Sequence, residues 1–217
     1  MAEVTSAPAA TDAVNLPSPP LLIISDRSQA RRPLPEIAAA TFAGGCRWFS
    51  LREKDLPPAE RRALLADLVA LGRRYGATVM AHDDIDAIIA TRAGGVHLPG
   101  GGDPAAARAL LPRALIGVSA HSAAEAATLI KAGADYVTIS PVFLTDSKPG
   151  YGPALGLAGL AEAVTAAGGP VIALAGINSA NARSCIDAGA VGIALMGEIM
   201  RATDPEATVR ALIRAIG

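Results

Sequence analysis

Aromatic residues are scarce in this chain, at 3%, and cysteine occurs only twice, at Cys46 and Cys185. The two lie far apart in sequence, so neither a zinc motif nor a redox pair is implied. Both are expected to pack as small apolar residues, Cys46 before a strand and Cys185 on a helix. Such usage implies a reducing compartment, the cytoplasm. The chain lacks a basic cluster and its formal charge is −1. With so few aromatics, this argues against nucleic acid as a partner. No apolar stretch of about 18 residues is free of charge, so no membrane span is expected. The first residues lack a basic start followed by an apolar block, and Glu3 and Asp12 interrupt them. They therefore do not read as a secretory signal.

The 217 residues are 51% hydrophobic and 18% charged, enough for one domain with a substantial core. Residues 1–20, rich in Ala, Pro, Ser and Thr, read as a flexible or loosely docked leader, and residues 21–217 as one domain. Whether the domain forms a homo-oligomer stays open.

Eight short apolar runs punctuate that domain: Leu21 to Ser25, Arg47 to Arg52, Thr78 to Ala81, Gly95 to Leu98, Leu115 to Ser119, Asp135 to Ile139, Pro170 to Leu174 and Gly192 to Leu195. Each is bounded by glycine, proline or charge and is too short for a helix. Stretches with helical spacing separate them, including Pro35 to Ala43, Pro58 to Tyr75, Asp103 to Leu111, Ser122 to Ala132, Leu157 to Ala167, Ser179 to Ala188 and Pro205 to Ile216. Asp103-Pro104 and Asn178-Ser179 resemble helix starts. Strands alternating with helices imply a parallel sheet buried on both faces. Eight such units predict an α/β fold, a single (β/α)8 TIM barrel, with its active face where strands end and loops begin.

Most candidate residues fall on that face. Alternation along the second run turns Ser50, Arg52 and Lys54 toward the barrel mouth, where two cations suit a polyanionic leaving group. The competing reading is a surface ion pair between Arg52 and Glu53. The three histidines, His82, His97 and His121, end the third, fourth and fifth strands. A zinc site would need carboxylate support that no His-Glu helix pair supplies. His97 suits a buried, hydrogen-bonded role, and His121, beyond Ser119, suits proton transfer. Asp83 and Asp103 are hard-oxygen candidates for Mg2+, although Asp103, like Asp84, also suits a helix cap. The loop from Thr145 through Lys148 to Gly152 can close over a phosphorylated ligand. Ala175-Gly176 and Met196-Gly197 end the last two strands, whose loops commonly form a barrel's phosphate pocket.

These motifs occur in a familiar order. Leu51-Arg52-Glu53-Lys54, Gly95-Val96-His97-Leu98, Gly117-Val118-Ser119-Ala120-His121, Ala134-Asp135-Tyr136, Pro141-Val142-Phe143 with Thr145 and Lys148, and Ala175-Gly176-Ile177 resemble the thiamine-phosphate synthase family and its relative, the TenI-type thiazole tautomerases. The resemblance runs from Leu21 to the C-terminus. It implies thiamine biosynthesis: hydroxyethylthiazole phosphate joined to aminopyrimidine-methyl pyrophosphate, with Mg2+ and release of pyrophosphate. It places Arg52, Lys54 and Lys148 on pyrophosphate, Asp83 on Mg2+ with Asp103 as the second candidate, and Ser119 and Thr145 at the reacting centre. Gly176 and the backbone near Gly197 take the thiazole phosphate.

The chain also departs from the family pattern. Ser50 stands where Gln is usual, His82 where Asn is usual, and Gly197 where Ser is usual. Pro99-Gly100-Gly101-Gly102-Asp103 displaces the second carboxylate by one residue, and the glycine pair after the seventh strand is Ala175-Gly176. Two other readings follow from these changes: a TenI-like tautomerase using His121, and a non-catalytic thiazole-phosphate-binding paralogue.

Overall fold

The computed structural model describes residues 15–145, 150 and 152–217. Its eight strands are β1 Leu21–Ile24, β2 Trp48–Leu51, β3 Thr78–His82, β4 Gly95–Leu98, β5 Leu115–Ala120, β6 Tyr136–Ile139, β7 Val171–Leu174 and β8 Gly192–Leu195. Each pairs in parallel with the next in sequence, and β8 returns to β1 through Leu21–Ile193 and Leu22–Ala194, closing the barrel. The helices among the described residues are α1 Leu34–Ala43, α2 Pro58–Arg74, α3 Ile85–Thr91, α4 Pro104–Leu110, α5 Ala123–Lys131, α6 Gly156–Ala167, α7 Ala182–Asp187, α8 Gly197–Met200 and α9 Pro205–Ile216. A 3-10 turn, Arg27–Gln29, follows β1. The architecture is the (β/α)8 barrel that the apolar runs predict.

Strand periodicity divides the core in two. Leu21, Ile23, Phe49, Leu51 and Val79 face outward into the layer beneath the helices. Leu22, Ile24, Trp48, Met80, Tyr136, Ile172 and Ala194 fill the barrel interior. Both faces of a strand are buried, so the runs read as continuously apolar rather than alternating. Of the expected leader, residues 15–20 are described, and Leu16 packs against the interior cluster. The Pro20 carbonyl accepts the Ile193 N–H at 3.0 Å, tying this segment to β8.

Helix starts follow side-chain chemistry. Asp84, Asp103, Ser122 and Asp204 each accept an N–H from the first turn of α3, α4, α5 and α9. The expected start at Asn178-Ser179 is corrected: α7 begins at Ala182. Asn178 and Asn181 are spent on the preceding loop, where Asn181 Oδ1 accepts the Asn178 N–H at 2.8 Å and its Nδ2 donates to the Gly176 carbonyl at 2.9 Å.

One glycine decides the interior. A Cβ on Gly117 would lie 2.0 Å from Cζ of Tyr136, whose ring occupies that space. Tyr136 also meets the Trp48 ring edge-on, with centroids 4.8 Å apart. Gly117→Ala is expected to cost about 3 kcal/mol, the upper range for overpacking a dense core. Denaturant melts check this, and an unchanged midpoint would mean that the Tyr136 ring is not confined there.

Candidate active site

A cavity of about 380 Å³ opens at the C-terminal ends of the strands. Ser50, Arg52, Lys54, His82, Ser119, His121, Thr145, Ala175, Gly176, Met196 and Gly197 all line it. Residues drawn from the ends of six strands and the loops that follow them thus converge, as the barrel geometry requires. Asp83 and Asp103 are not among the lining residues, and Lys148 lies outside the described residues.

The cationic rim is held from behind. Arg52 donates its backbone N–H to Ser25 Oγ at 2.8 Å. Glu53 is 2% exposed and accepts the Arg27 N–H on both carboxylate oxygens, at 3.1 and 3.2 Å. Its ion-pair partner is the Arg27 guanidinium at 3.6 Å. The surface pairing of Arg52 with Glu53 is therefore replaced by a buried strap between the loops after β1 and β2. Burial pushes the Glu53 carboxyl above the ordinary carboxylate range, with hydrogen bonds from Ser25 and Arg27 opposing that shift.

The floor is polar. His97 is 2% exposed, with Nδ1 3.0 Å from Tyr136 Oη and Nε2 3.0 Å from Ser119 Oγ. The His82 ring stacks on His97 with centroids 5.6 Å apart. Burial, and then the Arg52 charge, push the His97 pKa down to about 4, so the ring is neutral near pH 7. Ser50 is 1% exposed, and its Oγ has no hydrogen-bond partner among the described residues. A buried unpaired hydroxyl costs about 1–3 kcal/mol, which a ligand's polar edge can recover.

His121 sits just beyond the end of β5. Its Nδ1 lies 2.8 Å from the Ser140 carbonyl, which can only accept, so the neutral ring carries its proton on Nδ1. Nε2 is then the basic nitrogen. Ser122 and Glu125 brace the position: Ser122 Oγ accepts the Glu125 N–H, and Glu125 Oε2 accepts the His121 N–H at 2.7 Å.

The far rim consists of the loops after β7 and β8. Ala175 and Gly176 have φ of 82° and 66°, and a Cβ on Gly176 would lie 2.4 Å from the Leu144 carbonyl oxygen. Only glycine fits at Gly176, whereas Ala175 holds a left-handed backbone that L-residues adopt at a cost. Next to them, the first-turn N–H groups of α8 have no acceptor within the helix. Sequence reasoning missed Asn178, Glu198 and Arg201, which also line the cavity. The signal for the last two was helical spacing: Glu198 and Arg201 fall one turn apart, beginning beside Gly197.

Metal candidates divide by geometry. Asp84 caps α3 and binds Arg61 at 2.7 Å. Asp103 Oδ1 accepts the Ala105 and Ala106 N–H groups at 2.9 and 3.0 Å. Asp83 is exposed at the end of β3. No group of three or more His, Cys, Asp or Glu could hold a metal among the described residues. This donor set suits a magnesium ion that keeps its waters and arrives with phosphate oxygens, which needs one or two carboxylates rather than a protein cage.

Fold and site together define a barrel protein with cations on one rim, backbone donors on the other and a polar floor between. The thiamine monophosphate synthase family model matches residues 21–199. A thiamine-phosphate synthase of Roseiflexus sp. is 40% identical over 88% of this chain and 82% of its own. A putative thiamine-phosphate synthase of Geobacter sulfurreducens is 42% identical over 89% of this chain and 92% of its own. The solved thiamine phosphate pyrophosphorylase of Pyrococcus furiosus superposes with a TM-score of 0.82 at 32% identity, covering 90% of this chain and 94% of that one. The chain belongs to the thiamine monophosphate synthase family.

The buried neutral histidine has a consequence for stability. Unfolded histidine titrates near 6.5 and folded His97 near 4, so the folded state resists the proton. This contribution is intact above about pH 6.5 and is lost as pH falls toward 4. At about 1.4 kcal/mol per pKa unit it amounts to roughly 3 kcal/mol. Denaturant melts at about pH 7 and about pH 4 should show a smaller acid loss in His97→Gln than in the unmodified protein. Equal losses would mean that His97 is already solvated.

Proposed function

We propose that this protein is a thiamine-phosphate synthase acting in the cytoplasm on two small phosphorylated substrates. The thiazole nitrogen of hydroxyethylthiazole phosphate forms a C–N bond to the methylene carbon of aminopyrimidine-methyl pyrophosphate. The C–O bond breaks as that carbon is attacked, and pyrophosphate leaves with the electron pair. The observation that carries this reading is the pairing of Arg52 and Lys54 on one rim with the Gly176 and Gly197 loops across one cavity. Two anionic ends need two such rims.

The chain's own groups then have distinct tasks. Arg52 and Lys54, with Lys148, neutralise charge on the departing pyrophosphate, a gain realised as the bond breaks. Ser50 and His82 meet the pyrimidine, and Ser119 and Thr145 border the reacting carbon. Ala175, Gly176, Met196 and Gly197 hold the thiazole phosphate. Holding the two rings in line converts a bimolecular reaction into an effectively unimolecular one. Asp83, with Asp103 as the second candidate, would hold Mg2+, which would supply further charge neutralisation.

The cavity position of His121, with Nδ1 held by the Ser140 carbonyl, favours a second reading, tautomerisation of a carboxythiazole phosphate. Incubating both phosphorylated halves with Mg2+ and following pyrophosphate release decides between them. The synthase reading expects stoichiometric pyrophosphate and thiamine phosphate. Aromatisation of the thiazole tautomer without coupling would replace it.

Arg52→Ala is expected to lower kcat by about 100-fold, the scale of losing one donor to a developing oxyanion. Unchanged turnover would remove Arg52 from the mechanism. Chelation should abolish coupling reversibly while leaving the thermal midpoint within about 1 °C, because no described cluster uses a metal for folding. A large fall in the midpoint would instead mark a structural ion.

A further inference from the structure

Beneath the cavity lies a buried side-chain chain that the proposed chemistry does not itself require. It runs from Tyr136 through His97 to Ser119, with heavy-atom separations of 3.0 Å at both links. Ser119 and His97 border the cavity, Ser119 with its hydroxyl, whereas Tyr136 is fully buried. A neutral imidazole donates from one nitrogen and accepts at the other, so the tautomer of His97 dictates what Ser119 can do.

The surroundings select that tautomer. Tyr136 Oη has two neighbours that can accept its proton, His97 Nδ1 at 3.0 Å and Met80 Sδ at 3.9 Å. The Met80 sulfur is the more distant and the weaker acceptor of the two, and it already receives the Trp48 Nε1–H at 2.8 Å. Trp48 is a pure donor, so that bond has one direction only. The tyrosine proton therefore goes to Nδ1, and the imidazole proton sits on Nε2. From there it faces Ser119 Oγ at 3.0 Å and Thr138 Oγ1 at 3.4 Å, both of which can accept. Ser119 then keeps its own proton for the cavity. The other tautomer would consume that proton and turn serine lone pairs toward an anion.

We propose that Tyr136 and His97 are positioning residues that fix the Ser119 hydroxyl as a hydrogen-bond donor into the cavity. The chain is anchored mechanically by Gly117, which leaves room for the Tyr136 ring, and by the Trp48 edge against it. Its use in catalysis rests on the synthase reading, but its direction does not.

Two measurements test it. Long-range 1H–15N spectra of histidine-labelled protein near pH 7, with His97 assigned by its loss in His97→Gln, should show the Nε2–H tautomer. An Nδ1–H tautomer would overturn the proposal. Next, a double-mutant cycle of Tyr136→Phe and Ser119→Ala is read through affinity for inorganic pyrophosphate and through turnover. Each single change is expected to weaken pyrophosphate binding about 10-fold, and the double change no further. Circular dichroism and thermal midpoints identify any general loss of fold. Independent, multiplying losses in folded variants would show Tyr136 to be merely structural and would sink the proposal. An Nε2–H tautomer and a coupled cycle in pyrophosphate binding, without coupling of the two substrates, would sustain the donor chain and overturn the synthase reading.

Discussion

The site depends on one steric fit inside the barrel: the Tyr136 ring lying in the space that Gly117 leaves empty. That fit carries a phenol across the interior to His97 and seals the apolar half of the barrel from the polar half. Below it, Trp48, Met80, Ile172 and Ala194 are fully buried; above it, His97, Ser119 and Thr138 form a hydrogen-bonded floor. Were the phenol absent, His97 would be buried with a bare nitrogen at a cost of about 1–3 kcal/mol. Packing and polarity are therefore one constraint here. The floor cannot sink, because an aromatic ring supports it.

The rim obeys a second rule, in which short polar side chains fix each loop to its neighbour. Glu53 ties the loop after β1 to the loop after β2 through the Arg27 N–H. Glu125 braces His121, and Asn181 clamps the loop after β7 through the Gly176 carbonyl. Strand ends alone would place Cα atoms; these bonds fix the direction of the groups they carry. The two rims then line one cavity of about 380 Å³, suited to a small ligand with charge at both ends. Membership of the thiamine monophosphate synthase family supplies a chemistry with that charge distribution.

Much of the architecture was legible because both faces of a parallel barrel strand are buried, which writes short continuous apolar runs between helical stretches. Local chemistry also marked the caps at Asp84 and Asp103. The start of α7 was misplaced because asparagine serves loops as readily as helix ends, and Asn178 here accepts from Ala180 within the loop. Ser50, Arg52 and Lys54 were legible by alternation from β2. The strap at Glu53 was not, since its partner Arg27 is 26 residues away and only the closed barrel makes them neighbours. Arg201 escaped notice because its place depends on a single turn of helix after β8. The direction of the bond between His97 and Tyr136 was equally unreadable, because it is set by what Trp48 does to Met80.

The central claim is that one cavity at the strand ends receives two anionic groups on opposite rims above this polar floor. A crystal structure with pyrophosphate, Mg2+ and hydroxyethylthiazole phosphate bound tests it most directly. The account expects pyrophosphate against Arg52 and Lys54, the thiazole phosphate against Gly176 and Gly197, and Ser119 Oγ within hydrogen-bonding distance of ligand oxygen. Both anions on one rim, or either of them outside the cavity, would contradict it.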